Sequence, residues 1–530
     1  MAETSAPLPR QLYESQAVRQ LDRLAIKVFS TTGLELMRRA ASACLRAARE
    51  RWPASYHLIV FTGAGNNGGD GYVIAAQSIE LGLSSEVLYL SPPEQLVGDA
   101  ARAFQLAAGA GAKIHPFVEA DFAMRKHQPH TLLVDALLGT GLDRPVSGNF
   151  ISAIQAINTS QIPVLSVDVP SGLNADSGEP IDDAVRATGT VTFIGMKRGL
   201  LTGSAQNYTG DLYFDDLDLP QEVYTHAQAP VPNVKRIDIE SVQGWLPRRL
   251  PTSHKGDFGH VIVVGGERGF GGAPLMAAEA SLRSGAGLVS VVTRSEHRAG
   301  ILARRPEIMV HGTDDNDFDF GNLLHRASVL VIGPGLGLGA WGDQLLSTSL
   351  KALSEKSTPV IIDADALTLL SRDPDTYLAL KKDTWILTPH PGEAARLLNS
   401  NVSTVSLDRF ATIRALHDKW GGSCLLKGNG SLLINHLEPD LIELCNEGNA
   451  GMATGGMGDI LTGVVAALVA QGLSLDRALP CAVCVHGEAA DLCAGATGQR
   501  GLLATDLLQE IRQLLNVDHP SGPERRVSNV

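Results

Sequence analysis

The stretch His57–Leu81, HLIVFTGAGNNGGDGYVIAAQSIEL, opens on an apolar run of strand formers, passes through a glycine-rich turn and continues as an alanine-rich apolar helix. An apolar run with no polar alternation is the pattern of a strand buried on both faces. Within it, Gly63-Ala64-Gly65-Asn66-Asn67-Gly68-Gly69-Asp70-Gly71 has G-x-G-x-x-G spacing at the strand-to-helix junction, where backbone N–H groups can face a phosphate. Such a unit predicts a doubly wound α/β sheet, and the neighbouring text repeats it. Short apolar runs recur at Glu86–Leu90, Thr131–Asp135, Pro163–Asp168, Thr190–Ile194 and Leu212–Phe214, with helical patterns at Gly71–Leu81 and Asp99–Ala108. Upstream, helical spacing from Gln11 on (Val18, Leu21, Leu24, Ala25 and Val28), and a second pattern from Leu34 to Arg51 stopped by Pro53, predict helices before the sheet.

From Leu219 to Val234 the text becomes LPQEVYTHAQAPVPNV, Pro-rich and without either period. It reads as a linker, 221–234, between a first domain, 10–220, and a second, 235–515. Past it the rhythm restarts at His260–Val264, Leu288–Thr293, Ser328–Ile332, Pro359–Asp363, Thr384–Thr388 and Ser423–Lys427, with helices at Ala273–Ser284 and Asp459–Gln471. Two doubly wound domains also suit the length of 530 residues, because one core rarely grows past roughly 250–300.

With 44 Lys+Arg against 57 Asp+Glu, the net charge is −13. That balance argues against binding nucleic acid or an anionic membrane through net charge. The first residues lack an apolar signal core, and no run approaches the ~20 apolar residues of a membrane span, so a cytoplasmic protein is expected. The six cysteines are too few and too uneven for a disulfide framework. Cys481-Ala482-Val483-Cys484, followed by His486-Gly487-Glu488, has the pieces of a zinc deaminase signature in the wrong order and is read as helix packing.

In the first domain, the second strand ends in Ser91-Pro92-Pro93, with no carboxylate for a ribose. A standard hydride-transfer dinucleotide site is therefore disfavoured. Asp70 would repel a bare pyrophosphate, whereas Asn66 and Asn67 offer carbonyl oxygens to a cation. Asp135 closes TLLVD and Asp168 closes VLSVD. Ligands of open α/β sheets bind beyond the carboxyl ends of the strands, so Asn67, Asp70, Asp135 and Asp168 are expected in one crevice. Any one of these aspartates alone reads equally as a helix cap or turn brace.

The segments GAGNNGGDGYVIA, VDALLGTGLDRPVSG and VDVPSGLNADSG resemble, in order, the motifs of the NAD(P)H-hydrate epimerase family. The resemblance implies K+ held by Asn67, Asp135 and Ser171. It also implies a hydrated nicotinamide nucleotide bound by Asn66, Asn67, Gly68, Gly69 and Asp70, by Gly139, Thr140, Gly141, Leu142, Asp143, Arg144 and Pro145, and by Asp168. Epimerisation at the carbon bearing the hydroxyl needs a group that exchanges its proton, and Asp168 is the candidate.

In the second domain, Asn449–Asp459, NAGMATGGMGD, runs directly into the apolar helix beginning Ile460-Leu461-Thr462. Free N–H groups at a helix start make an anion hole for a phosphoryl group in transfer, and Asp459 at its mouth can take the proton of an attacking hydroxyl. The plain alternative for Asp459 is a helix N-cap. This loop resembles the signature of ribokinase-like kinases. With HKGDFGHVIVVGG, GPGLG, DADAL, TPHPGE and KGNG, the set is similar to the ADP-dependent NAD(P)H-hydrate dehydratases. That resemblance implies that Ala273, Gly335, Gly337, His390 and Asp459 contact the hydrate, and that Lys427, Gly428, Asn429, Gly430, Ser431 and Gly458 hold the nucleotide. ADP and Mg²⁺ are the implied co-substrate and cation.

Together the two resemblances describe a bifunctional repair enzyme for hydrated NADH and NADPH (NADHX and NADPHX), expected as a homo-oligomer without nucleic-acid or membrane partners. Two rivals are a ribokinase-type small-molecule hydroxyl kinase and a first domain that only binds ligand or protein. His390 between two prolines also reads as a turn residue, and Lys255 in Ser253-His254-Lys255-Gly256 as a solvated side chain.

Overall fold

The computed structural model describes residues 8–126, 128–141, 144–315 and 318–516. The chain divides into two compact units, Met1–Lys235 and Arg236–Val530.

In the first unit, strands β1 (His57–Thr62), β2 (Ser84–Tyr89), β3 (Lys113–Pro116), β4 (Thr131–Ala136), β5 (Val164–Val167), β6 (Gly189–Phe193) and β7 (Asp211–Asp215) form a 7-stranded sheet ordered β3-β2-β1-β4-β5-β6-β7. Every neighbouring pair is parallel. Alternate residues of a strand serve opposite faces: Leu58, Val60, Leu132 and Val134 join one apolar cluster, and Ile59, Phe61 and Leu133 another. Burial on both faces explains the unbroken apolar runs. Helices α1 (Ser15–Lys27), α2 (Gly33–Arg51) and α3 (Asn66–Glu80) bury their apolar stripes in the first cluster.

Three local expectations change. Gln11–Tyr13 is a short strand, paired with Met196–Lys197, where the helical spacing had been extended back to Gln11. Helix α3 starts at Asn66, five residues ahead of the predicted Gly71, so the glycine-rich segment forms its first turn. The start of the stretch 221–234 is packed within the first unit, because a short helix, Gln221–Thr225, buries Val223 completely, and Tyr224 Oη donates to the Ile194 carbonyl at 2.8 Å. A proline-rich composition hid a few apolar anchors.

In the second unit, β8 (His260–Val264), β9 (Leu288–Thr293), β10 (Met309–Gly312), β11 (Val329–Ile332), β12 (Val360–Ile362), β13 (Trp385–Leu387), β14 (Ser423–Leu426), β15 (Ser431–Asn435) and β16 (Glu438–Cys445) run in the order β10-β9-β8-β11-β12-β13-β14-β15-β16. Pairing is parallel as far as β14 and antiparallel through β15 and β16. That hairpin and β10 were not predicted. Exposed charged residues such as Glu438 and Asp440 interrupt Glu438–Cys445, and Ser431–Asn435 holds only three apolar residues in a row. Helices α4 (Gly272–Arg283), α5 (Met457–Ala470) and α6 (Leu475–Thr497) share the core with Val261, Val291 and Val331.

In both sheets the order reverses at one point, between β1 and β4 and between β8 and β11. Loops leaving the carboxyl ends of strands at such a reversal diverge and open a crevice. Among the described residues, no helix is long and apolar enough to cross a membrane.

Helices α4 and α5 meet at Gly463, where an added Cβ would lie 2.2 Å from the Ala277 carbonyl oxygen. Gly463→Ala is expected to lower the stability of this unit by about 1–3 kcal/mol despite alanine's better helix propensity. Thermal or urea unfolding checks this, and an unchanged midpoint would contradict the close approach.

Candidate active sites

In the first unit the loops after β1, β4 and β5 enclose a cavity of about 1000 Å³ whose wall includes Asn66, Asn67, Asp70, Arg144, Asp168 and Lys197. Gly139, Thr140, Gly141 and Pro145 also border it, whereas Leu142 and Asp143 lie outside the described residues. Most glycines of the first loop serve packing. A Cβ on Gly63 would lie 2.1 Å from the Leu137 carbonyl, and one on Gly68 2.2 Å from that of Gly63, while Gly65 meets open space. Gly69 packs on Met37.

Asp135 is fully buried beneath the cavity. It accepts hydrogen bonds from Ser166 Oγ at 2.8 Å, from the Ser171 N–H at 2.9 Å and from Ser171 Oγ at 2.5 Å. Burial pushes its carboxyl upward and the Ser171 bonds oppose that shift. Ser171 Oγ also accepts from the Leu138 N–H at 2.9 Å, and Asn67 Nδ2 donates to the Leu138 carbonyl at 3.0 Å. Asn67, Asp135 and Ser171 thus meet around Leu138. Asn67 Oδ1 is buried without a hydrogen-bond partner among the described residues. An orphaned carbonyl oxygen beside a buried carboxylate and a hydroxyl is a donor set that fits a hard cation.

Asp168 leaves β5 at φ +66°, a strained conformation for a residue with a side chain. Its N–H donates to the Val191 carbonyl at 2.7 Å, and its carboxylate accepts from Thr192 Oγ1 at 3.2 Å and from Lys197 Nζ. Lys197 is 1% exposed and donates also to Thr192 Oγ1 at 3.0 Å and the Phe193 carbonyl at 2.9 Å. Burial, then the charges of Asp168 and Asp22, push Asp70 well above the usual carboxylate range. Asp22, on α1, is raised by burial and by Asp168. A carboxylate paired with an ammonium therefore shares one cleft with a carboxyl that burial and like charge bias toward its protonated form.

In the second unit, Asp363 at the end of β12 is buried and accepts from Lys427 Nζ at 2.9 Å and Thr462 Oγ1 at 2.8 Å. Burial alone would raise Asp363, but Lys427 holds it below its usual range. Burial would lower Lys427, and Asp363 and Glu393 keep it raised. A Cβ on Gly458 would stand 3.3 Å from Lys427 Nζ, so this ammonium adjoins the free N–H groups at the start of α5. Asp459 is the third residue of that helix and Gly456 is its N-cap, at φ +93°, which removes the capping alternative. Burial, then Asp363, raise Asp459 to about 7, with Lys427 opposing.

Arg409 donates to the Lys427 carbonyl at 3.4 Å and the Gly430 carbonyl at 3.1 Å, bracing the turn Gly428-Asn429-Gly430 ahead of Ser431. Gly335 lies against Ala273 and Phe270, and the Gly337 N–H donates to Asp365 at 2.8 Å. His390 is the N-cap of the helix Pro391–Leu397, with Nδ1 accepting from the Gly392 N–H at 2.9 Å, and its Nε2 is 3.3 Å from Glu393. Turn residue and exposed imidazole are one and the same here. Lys255 is exposed, and Cys481 and Cys484 are buried on α6. Cys484 also meets Cys445 and Glu447, with ligand atoms within 4.8 Å of one another, and Cys445 Sγ donates to Glu447 Oε2 at 3.6 Å.

Residues 33–199 match the model of the YjeF-related protein N-terminus, and residues 261–513 that of the NAD(P)H-hydrate dehydratases. The chain is 44% identical to a bifunctional NAD(P)H-hydrate repair enzyme of Coxiella burnetii, over 95% of this chain and 99% of that one. The chain belongs to the bifunctional NAD(P)H-hydrate repair enzymes. The Escherichia coli family member is 40% identical over 97% of this chain and 96% of its own. An ADP/ATP-dependent NAD(P)H-hydrate dehydratase from Bacillus subtilis, co-crystallised with ATP/Mg²⁺, covers 53% of this chain and 96% of that one at 26% identity and a TM-score of 0.45.

Reading the family motifs gave no role to Lys197, Asp22 or Thr462, nor to Asp363, which opens DADAL. The signal for Asp363 was present, a charged residue at the end of an apolar strand; Lys197 stands four residues past the end of β6, and Asp22 and Thr462 sit in ordinary helical text.

Because Asp459 is raised from 3.8 to about 7, its charge costs stability at neutral pH. Asp459→Asn is expected to stabilise this unit by roughly 1–3 kcal/mol at pH 8. The gain shrinks as pH falls through about 7 and vanishes below 3.8. Thermal unfolding across this range checks it, and a pH-independent difference would contradict the burial of the charge.

Proposed function

We propose that the first unit interconverts the R and S epimers of NADHX and NADPHX, and that the second dehydrates the S epimer at the expense of ADP, giving AMP, phosphate and NAD(P)H. The observation that carries this reading is the pairing, in one chain, of a cleft holding a base and an acid with a phosphoryl-type anion hole faced by a raised carboxyl.

For epimerisation, Asp168, steadied by Lys197 and Thr192, takes the proton of the C6 hydroxyl as the C6–N1 bond opens to an aldehyde, and Asp70 supplies a proton to the ring nitrogen. Reclosure on the other face reverses both transfers. Asn67, Asp135 and Ser171 would hold K⁺, which would supply positive charge to an anionic substrate. Asn66–Asp70 and Gly139–Pro145 border the substrate in this reading.

For dehydration, hydroxide leaves poorly from C6. Asp459 takes the hydroxyl proton as that oxygen bonds to the β-phosphorus of ADP and the bond to AMP breaks. Phosphate then departs from C6 with loss of a C5 proton, restoring the dihydronicotinamide. Lys427 and the Gly458 N–H stabilise charge on the transferring group. Gly428–Ser431 cradle the nucleotide, while Ala273, Gly335, Gly337 and the exposed face of His390 border the hydrate. Mg²⁺ would neutralise phosphoryl oxygens. The enzyme acts as a cytoplasmic homo-oligomer.

Asp168→Ala is expected to abolish epimer exchange while leaving dehydration of the S epimer intact, and Asp459→Asn to lower dehydration at least about 10³-fold with nucleotide affinity kept. Return of reduced-nicotinamide absorbance from separated epimers, with ADP or ATP, measures both. Stable phosphorylated hydrate instead of NAD(P)H would favour the hydroxyl-kinase reading. Dehydration should also rise with pH through about 7 as Asp459 loses its proton; a flat profile would remove it as the base.

A further inference from the structure

Between the last turns of α4, the end of the helix Arg298–Arg304 and the helix Leu507–Leu514 lies a cavity of about 660 Å³. Arg283, Arg304, Arg305 and Arg512 line it against one carboxylate, Glu279. Four positive charges and one negative leave +3 on this wall, in a chain whose net charge is −13. Glu279 is 2% exposed and already engaged, accepting from Arg304 Nε at 3.3 Å and from the Arg305 guanidinium. Arg305 Nε is nevertheless buried without a hydrogen-bond partner, and Arg283 and Arg512 have no ion-pair partner among the described residues. Apart from Leu508, the remaining lining residues carry uncharged polar side chains.

Converging guanidiniums with unmet donors repel one another until an anion joins them, and their planar forks match the oxygens of a phosphate. We propose that this cavity is a second anion site, distinct from the anion hole at Gly458, that takes a phosphorylated small molecule carrying two or more negative charges. The volume admits more than a bare ion, and three separate elements supply the arginines, so multiply charged phosphates are selected over monoanions.

Inorganic pyrophosphate is the probe, titrated calorimetrically into the full chain. Arg283 and Arg512 are exposed, so Arg283→Gln/Arg512→Gln leaves the core intact. The double variant is expected to weaken one pyrophosphate binding event at least about tenfold, with kcat/KM for dehydration unchanged. Arg512→Glu should produce the same loss by charge reversal. An unaltered isotherm in both variants, or equal binding of perchlorate at the same ionic strength, would overturn the site.

Discussion

Parallel strands buried on both faces leave little room for charged side chains along their length, where Glu86 is tolerated against His57, so most of the charge sits at the ends. Leu58–Phe61, Leu132–Val134 and Val261–Val264 are almost wholly enclosed. Asp135, Asp168 and Asp363 appear at the carboxyl ends, where the next residues turn away. A carboxylate in that position is near enough to the core to be desolvated and near enough to the loops to be reached by ligand. Each must find compensation, and it comes from distant chain: Ser171 for Asp135, Lys197 for Asp168, Lys427 and Thr462 for Asp363.

The two units solve the same electrostatic problem differently. In the first, Lys197 pairs directly with the candidate base, and Asp70 in the same cleft is pushed upward by burial and by the charge of Asp168. In the second, Lys427 is bound to Asp363, a residue that does not itself face the chemistry in our reading, and Asp459 stands outside that pair with a carboxyl raised to about 7. The net charge of −13 cannot attract an anionic dinucleotide. Local donors must do so, which is why the cations here are buried ones.

Much of the fold was legible because β-branched runs and glycine turns are local signals. The strands of the parallel cores stand within two residues of where the apolar runs put them. The hairpin Ser431–Cys445 and the strand Lys113–Pro116 were not: Lys113–Pro116 is a partly exposed edge strand, Ser431–Asn435 holds only three apolar residues, and Glu438–Cys445 carries mixed text. The packed segment after Leu219 escaped for a related reason: Val223 and Tyr224 are single anchors without a period.

For the sites, the sequence by itself determined which carboxylates end strands, where glycine-rich loops enter helices, and, through ordered motifs, the family. Only the tertiary structure decided what each group faces. Asp459 could have been a cap until Gly456 was seen to hold that place. Gly63 and Gly68 looked like phosphate glycines, yet a Cβ at either would lie only 2.1 or 2.2 Å from a backbone oxygen. Lys197 lies 29 residues beyond Asp168, and nothing in the text between them joins the two. Protonation and charge pairing depend on burial and on neighbours distant in the chain, and those exist only once the strands are laid side by side.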